Sequence, residues 1–93
     1  MRESNLSKAD LTEADLSEAD LTGAILNAAV LKQANLFAVC LYGAYLWGAK
    51  LIDTNLRRAN LTKASLRGAV TAGGDRQEVV WSEVILPDGT LHR

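Results

Sequence analysis

Leucine returns at every fifth position from Leu6 to Leu66 without a miss: Leu6, Leu11, Leu16, Leu21, Leu26, Leu31, Leu36, Leu41, Leu46, Leu51, Leu56, Leu61 and Leu66. No standard element hosts that period. An α-helix advances about 100° per residue, so five-residue steps scatter the leucines around the cylinder. In a flat strand side chains alternate faces, so half of the leucines would point into water. The pattern is consistent only if the backbone turns by a fixed angle within each repeat and every leucine points at one central axis. Such a chain is a solenoid.

A second position repeats in phase. Two residues before each leucine stands a small residue, as at Ala9, Ala14, Ala24, Ala44 and Ala59, with Ser4, Val39 and Thr54 as variants. Residues two apart in an extended segment share a face, so this residue enters the core with the leucine and leaves it room. The residue between them and the two that follow face outward and form the corner. Those slots hold most of the polar residues of the region. Gly23, Gly43, Gly48 and Gly68 recur in the last slot, which predicts a turn position with positive φ.

Ala9-Asp10-Leu11-Thr12-Glu13, Ala14-Asp15-Leu16-Ser17-Glu18, Ala34-Asn35-Leu36 and Ala59-Asn60-Leu61-Thr62-Lys63 resemble the A(D/N)LXX unit of the pentapeptide-repeat family. The resemblance covers about residues 4–73. It implies an all-β fold, a right-handed quadrilateral β-helix with one repeat per side and four repeats per coil. Residues 1–73 are expected to form about four coils, a rod about 20 Å long at about 4.8 Å per layer. Residues 74–93 are expected to be degenerate repeats and a cap of the same domain. Residues twenty apart should then stack, which turns the sequence into a surface map.

The five-residue phase survives past Val70. Counting on from Leu66 places Thr71, Arg76, Trp81 and Leu86 in the leucine slot, with Val79 and Val84 in the small slot. Val79–Glu83 and Val84–Asp88 read as two degenerate repeats after a Gly-rich excursion at residues 71–75. Trp81 and Leu86 are expected to close the core, because terminal repeats of solenoids are atypical. Pro87-Asp88-Gly89 signals a turn, after which residues 90–93 fold back or fray.

Ninety-three residues suit one small domain, and a repeat needs only its neighbours. No apolar run is long enough for a transmembrane helix and the N-terminus contains no apolar signal core, so the expected location is cytoplasmic with no membrane association. The single cysteine, Cys40, occupies an outward slot and has no internal partner. The net charge of −1 hides a gradient: residues 1–23 sum to −4 and residues 50–68 to +4. Solvated faces explain this, or attraction between the acidic end of one rod and the basic part of another.

No catalytic constellation is present. His92 is the only histidine, no nucleophile or phosphate-binding motif accompanies it, and no metal spacing occurs. Asp10, Asp15 and Asp20 fall on successive sides and diverge, so each is expected to bond its own turn backbone. The chain reads as no enzyme, with no cofactor, metal or small-molecule substrate.

Binding has the stronger basis. Four of the five aromatic residues fall between Phe37 and Trp47, in outward slots where Asp, Asn or Ser is the rule. Ile25, Phe37, Tyr42, Tyr45, Trp47 and Arg67 form the candidate interaction patch, with Arg67 placed for a cation–π contact on Trp47. The competing reading folds residues 74–93 over these rings. The expected function is a non-catalytic structural or protein-interaction module that takes a protein partner or a second copy. The alternative is a DNA-mimicking regulator of DNA gyrase, a role known among pentapeptide-repeat proteins. It is disfavoured because those relatives are long and strongly acidic. Direct nucleic-acid binding through Lys50, Arg57, Arg58, Lys63 and Arg67 is also disfavoured, because these cations wrap around the rod.

Overall fold

The structure, a computed structural model, describes residues 2–92; Arg93, at the end of the segment expected to fold back, lies outside them. Each repeat runs extended through the small residue, the outward residue and the leucine, then turns. The leucine carbonyl accepts from the small residue of the next repeat, as in Ala9 N–H to Leu6 O at 3.0 Å and Ala44 N–H to Leu41 O at 2.9 Å. The third turn residue has positive φ, the requirement of type II turns. Glycine meets it at Gly48 (67°), but Lys8 (62°), Ala28 (60°) and Arg58 (62°) adopt it as well. A left-handed conformation costs a residue with a Cβ about 1–2 kcal/mol. Here the N–H of that residue is bonded to the next layer, as in Lys8 N–H to Asn27 O at 2.8 Å and Arg58 N–H to Gln77 O at 3.0 Å.

Those bonds define the register. Parallel bridges join Asn5 to Ile25, Ile25 to Tyr45, Tyr45 to Ser65 and Ser65 to Ile85, and likewise on the other sides. Leu26 N–H donates to Tyr45 O at 2.7 Å while Tyr45 N–H donates to Ala24 O at 2.9 Å. A twenty-residue layer of five-residue repeats has four sides. The rod is a square coil.

Ten of the thirteen leucines, Leu21 through Leu66, are buried, and the alanines between them fill the remaining core. Leu6, Leu11 and Leu16 in the first coil are only partly buried and pack against that core from one side. Thr54 occupies a small slot and is buried; its hydroxyl donates to Leu31 O at 2.7 Å, so no polar group is stranded.

The Gly-rich segment is not an excursion. Val70, Asp75 and Val80 bridge to Lys50, Asn55 and Asn60, so the fourth coil closes in phase through residues 64–83. Gly74 makes this possible, because it takes the inward slot with φ at 76° directly over the Thr54 backbone. The ladder therefore continues past residue 73. Ile85 bridges to Ser65 and starts a fifth layer, where β1 (Val84–Ile85) pairs antiparallel with β2 (Leu91–His92). Gly89 N–H donates to Leu86 O and Leu86 N–H to Thr90 O, closing the hairpin. Trp81 packs against the core from above, while Leu86 is half-buried over the Leu66 column. Over the Leu56 column stands Arg76, whose guanidinium donates to Thr71 O at 3.3 Å.

Candidate functional site

The square coil sorts the outward residues onto four sides and four corners. The first side carries the column Asn5, Ile25, Tyr45, Ser65 and Ile85. The corner that follows it carries Trp47, with Asn27 one layer below and Arg67 one layer above. Tyr45 and Trp47 meet edge to face, with ring centroids 6.1 Å apart and planes at 88°. The indole N–H donates to Ser65 Oγ at 2.7 Å, and the Trp47 backbone N–H donates to Asn27 Oδ1 at 3.0 Å. The ring is thus fixed by its own side of the rod, yet Trp47 remains 47% exposed and Tyr45 46%. What it offers to solvent is apolar ring surface, because its one donor is already used.

The structure does not gather all six patch residues. Ile25, Tyr45, Trp47 and Arg67 share the first side and its following corner, and Tyr42 stands at the corner just before. Phe37 is diagonally opposite. The ten residues between Phe37 and Trp47 are half of one coil, so they carry the chain across the square. Phe37 is half-buried there with the Arg58 guanidinium 6.0 Å from its ring centre. Nor does Arg67 supply the expected cation–π contact. Among the described residues those contacts are Arg58 on Phe37 and Lys63 on Tyr42, the latter at 5.8 Å. The reason is the spacing of twenty-one between Phe37 and Arg58 and between Tyr42 and Lys63. It places each cation one layer up and one slot on.

The C-terminal segment leaves the aromatic pair open. It extends the first side upward instead: Ile85 lies over Ser65, and Pro87 follows at the Trp47 corner, where its carbonyl accepts from Gly68 N–H at 2.8 Å. Ile85 and Pro87 are missing from the sequence-derived patch. The twenty-residue register places Ile85 on the Tyr45 side and Pro87 at the Trp47 corner.

Three of the five cations of the basic third coil meet a carboxylate of the rod. Arg57 and Arg58 lie 3.7 and 3.5 Å from the Glu78 carboxylate, and Lys63 lies 3.9 Å from that of Glu83. The acidic first coil has a structural duty. Asp10, Asp15 and Asp20 each accept the N–H of the residue two ahead, at 3.0–3.1 Å, and its hydroxyl, at 2.6–2.7 Å. The side-chain bond first, and the backbone bond second, hold each carboxyl below the ordinary aspartate value. Asn35, Asn55 and Asn60 make the same turn bond without charge. Cys40 is half-buried, its Sγ 3.3 Å from Thr22 Oγ1. Among the described residues no surface cavity opens and no His, Cys, Asp or Glu cluster is placed to hold a metal ion. No helix of the described residues is long and apolar enough to cross a membrane.

The pentapeptide repeats family matches residues 1–39 and 40–70, in eight copies. The chain belongs to the pentapeptide-repeat family. Its fold is accordingly the right-handed quadrilateral β-helix of that family's solved members. A pentapeptide-repeat protein, Rfr23, from the cyanobacterium Cyanothece 51142 is 39% identical, with a TM-score of 0.89, over 90% of this chain and 57% of its own length. HetL, a pentapeptide-repeat protein involved in heterocyst differentiation regulation in the cyanobacterium Nostoc, is 38% identical, with a TM-score of 0.58, over 95% of this chain and 43% of its own. A pentapeptide-repeat protein of the Arabidopsis thaliana thylakoid lumen is 26% identical, with a TM-score of 0.65, over 98% of this chain and 70% of its own. The chain thus spans little more than half of Rfr23 and less than half of HetL. No curated protein sequence matches it.

Proposed function

We propose that this chain is a non-catalytic protein-interaction module whose working surface is the first side of the rod and the Trp47 corner. One observation carries the reading: a large aromatic ring, positioned by Tyr45 and by its bond to the buried Ser65 hydroxyl, still leaves 47% of Trp47 open at the surface. The Tyr45 edge contact and the indole bond to Ser65 restrict the ring before any partner arrives. Pre-organisation of that kind lowers the entropy cost of association. Exposed Trp and Tyr with apolar neighbours such as Ile25 are the residue types that dominate interface energetics. Phe37 is no part of this surface, and Tyr42 stands at its rim.

The DNA-mimic alternative has less behind it. Asp10, Asp15 and Asp20 lie on three different sides of one layer and are committed to their turns. The layers above them do not continue an acidic stripe. The involvement of HetL in differentiation regulation agrees with an interaction role, and the partner here is to be found by experiment. Trp47→Ser should leave the thermal melt within a few degrees of wild type, while abolishing capture of a partner or lowering the mass in solution. Equal capture and equal mass in wild type and variant would refute the assignment.

A further inference from the structure

Once the rod has paired its own charges, the cations left over are not spread evenly. Arg2 lies 3.8 Å from Asp20, and Arg57, Arg58 and Lys63 face Glu78 and Glu83. Arg76 is turned onto the Thr71 carbonyl. Lys8, Lys32, Lys50 and Arg67 have no carboxylate partner among the described residues, and three of these four lie on the Trp47 corner or on the side that follows it. Arg67 is one layer above it, on a backbone whose carbonyl accepts from Gly48 N–H at 2.9 Å. Lys50 follows three residues on, on the adjoining side between Val30 and Val70. Lys8 stands two layers down on the same corner, its N–H bonded to Asn27 O. The acids on that corner and side are Asp88 at the top and Asp10 at the foot, and each already accepts two hydrogen bonds from its own turn.

We propose that the Trp47 corner binds an acidic peptide segment of a partner protein, with an apolar anchor packed on Tyr45 and Trp47 and flanking carboxylates facing Lys50 and Arg67. This rests on the corner being the working surface, and adds the chemistry of what it receives. Complementary charge around an apolar centre selects partners and speeds encounter. The same composition does not suit a nucleic-acid strand, which needs a row of cations tracking the phosphates. Here Arg67 stands on the Trp47 corner and Lys50 on the adjoining side, which makes no such row.

A synthetic peptide alternating Glu and Leu, its Lys-Leu counterpart and an oligothymidylate are titrated into the full chain by calorimetry, and the Trp47 indole N–H is followed by NMR. Saturable binding of the Glu-Leu peptide alone, weakened by salt and shifting the indole signal, is the expected result. Lys50→Gln with Arg67→Gln should weaken it about fivefold, as loss of two exposed ion pairs predicts. Lys32→Gln with Arg57→Gln, the same charge change on other corners, should leave it unaltered. Equal weakening by both pairs, equal binding of the Lys-Leu peptide, or tighter binding of the oligothymidylate overturns the proposal. If Trp47→Ser still abolishes capture of a natural partner while the Glu-Leu peptide does not bind, the acidic class is wrong and the surface stands. If Trp47→Ser leaves Glu-Leu binding intact, the surface is wrong as well.

Discussion

Gly48 and Gly74 both hold positive φ, at 67° and 76°, but they ask for glycine for different reasons. A Cβ at Gly48 would meet nothing within 4 Å. Gly48→Ala therefore incurs only the left-handed backbone term of about 1–2 kcal/mol, offset in part by about 0.4–1 kcal/mol of entropy removed from the unfolded chain. The net cost is about 1 kcal/mol, a fall in Tm of about 4–8 °C for a domain of this size. Gly74→Ala carries the same backbone term, and its methyl would overlap the Thr54 carbonyl oxygen and lie 2.9 Å from the Thr54 nitrogen. Backbone cannot step aside as a flexible side chain can, because Leu31 O accepts the Thr54 hydroxyl and Asn55 N–H is bonded to Ala34 O. Overpacking of this kind adds about 1–3 kcal/mol, bringing the total to about 3 kcal/mol. Thermal and urea melts followed by circular dichroism and by tryptophan fluorescence would measure both variants, with coincident transitions testing two-state behaviour. If Gly74→Ala is no more destabilising than Gly48→Ala, the close stacking of the fourth coil on Thr54 is wrong, and with it the in-phase path of residues 71–75.

Leu41→Ala removes a fully buried leucine and should cost about 3–4 kcal/mol, whereas Leu11→Ala, in the partly buried first coil, should cost clearly less; equal losses in urea melts would contradict a core that thins toward that end. Asp10, Asp15 and Asp20 have lowered folded-state pKa values, so their contribution is present above the ordinary aspartate value of about 3.9 and is lost as pH falls through the folded value. Replacing all three by Asn, which makes the same turn bond at Asn60, should flatten the dependence of Tm on pH below about pH 4, and an unchanged acid profile would assign the loss to other groups. Truncation after Gly74 removes the second half of the fourth coil, Trp81, Leu86 and the hairpin, and should abolish cooperative melting; a fully cooperative truncate would show that the lower coils need none of these to close the core.

The period of five made the interior legible because a single geometric condition ties every leucine to the same axis. The twenty-residue stacking follows once four repeats per layer are granted, and that number came from family resemblance. The tail was harder to read because the signal of the repeat lies in its core residues, and residues 71–76 place Thr71, Gly74 and Arg76 in core slots. What kept them in phase was backbone bonding to the layer below, as in Leu56 N–H to Asp75 O at 2.7 Å, a force with no side-chain signature. The outward slots posed the opposite problem. Their composition marks Tyr45 and Trp47 as unusual for the repeat, but nearness in sequence is not nearness in space, and Phe37 sits half a coil away. The partner of Trp47 was missed for a related reason: Ser65 matters only because it is eighteen residues on, one layer up and two slots back, where its hydroxyl meets the indole. A solenoid decouples its surface from its core, so any outward residue fits the fold equally well. The indole of Trp47 serves the fold by bonding the buried Ser65 hydroxyl, but the fold does not require a ring of that size to stand in the open. The chemistry proposed to meet that ring turns on Lys50 and Arg67, which have no carboxylate partner among the described residues.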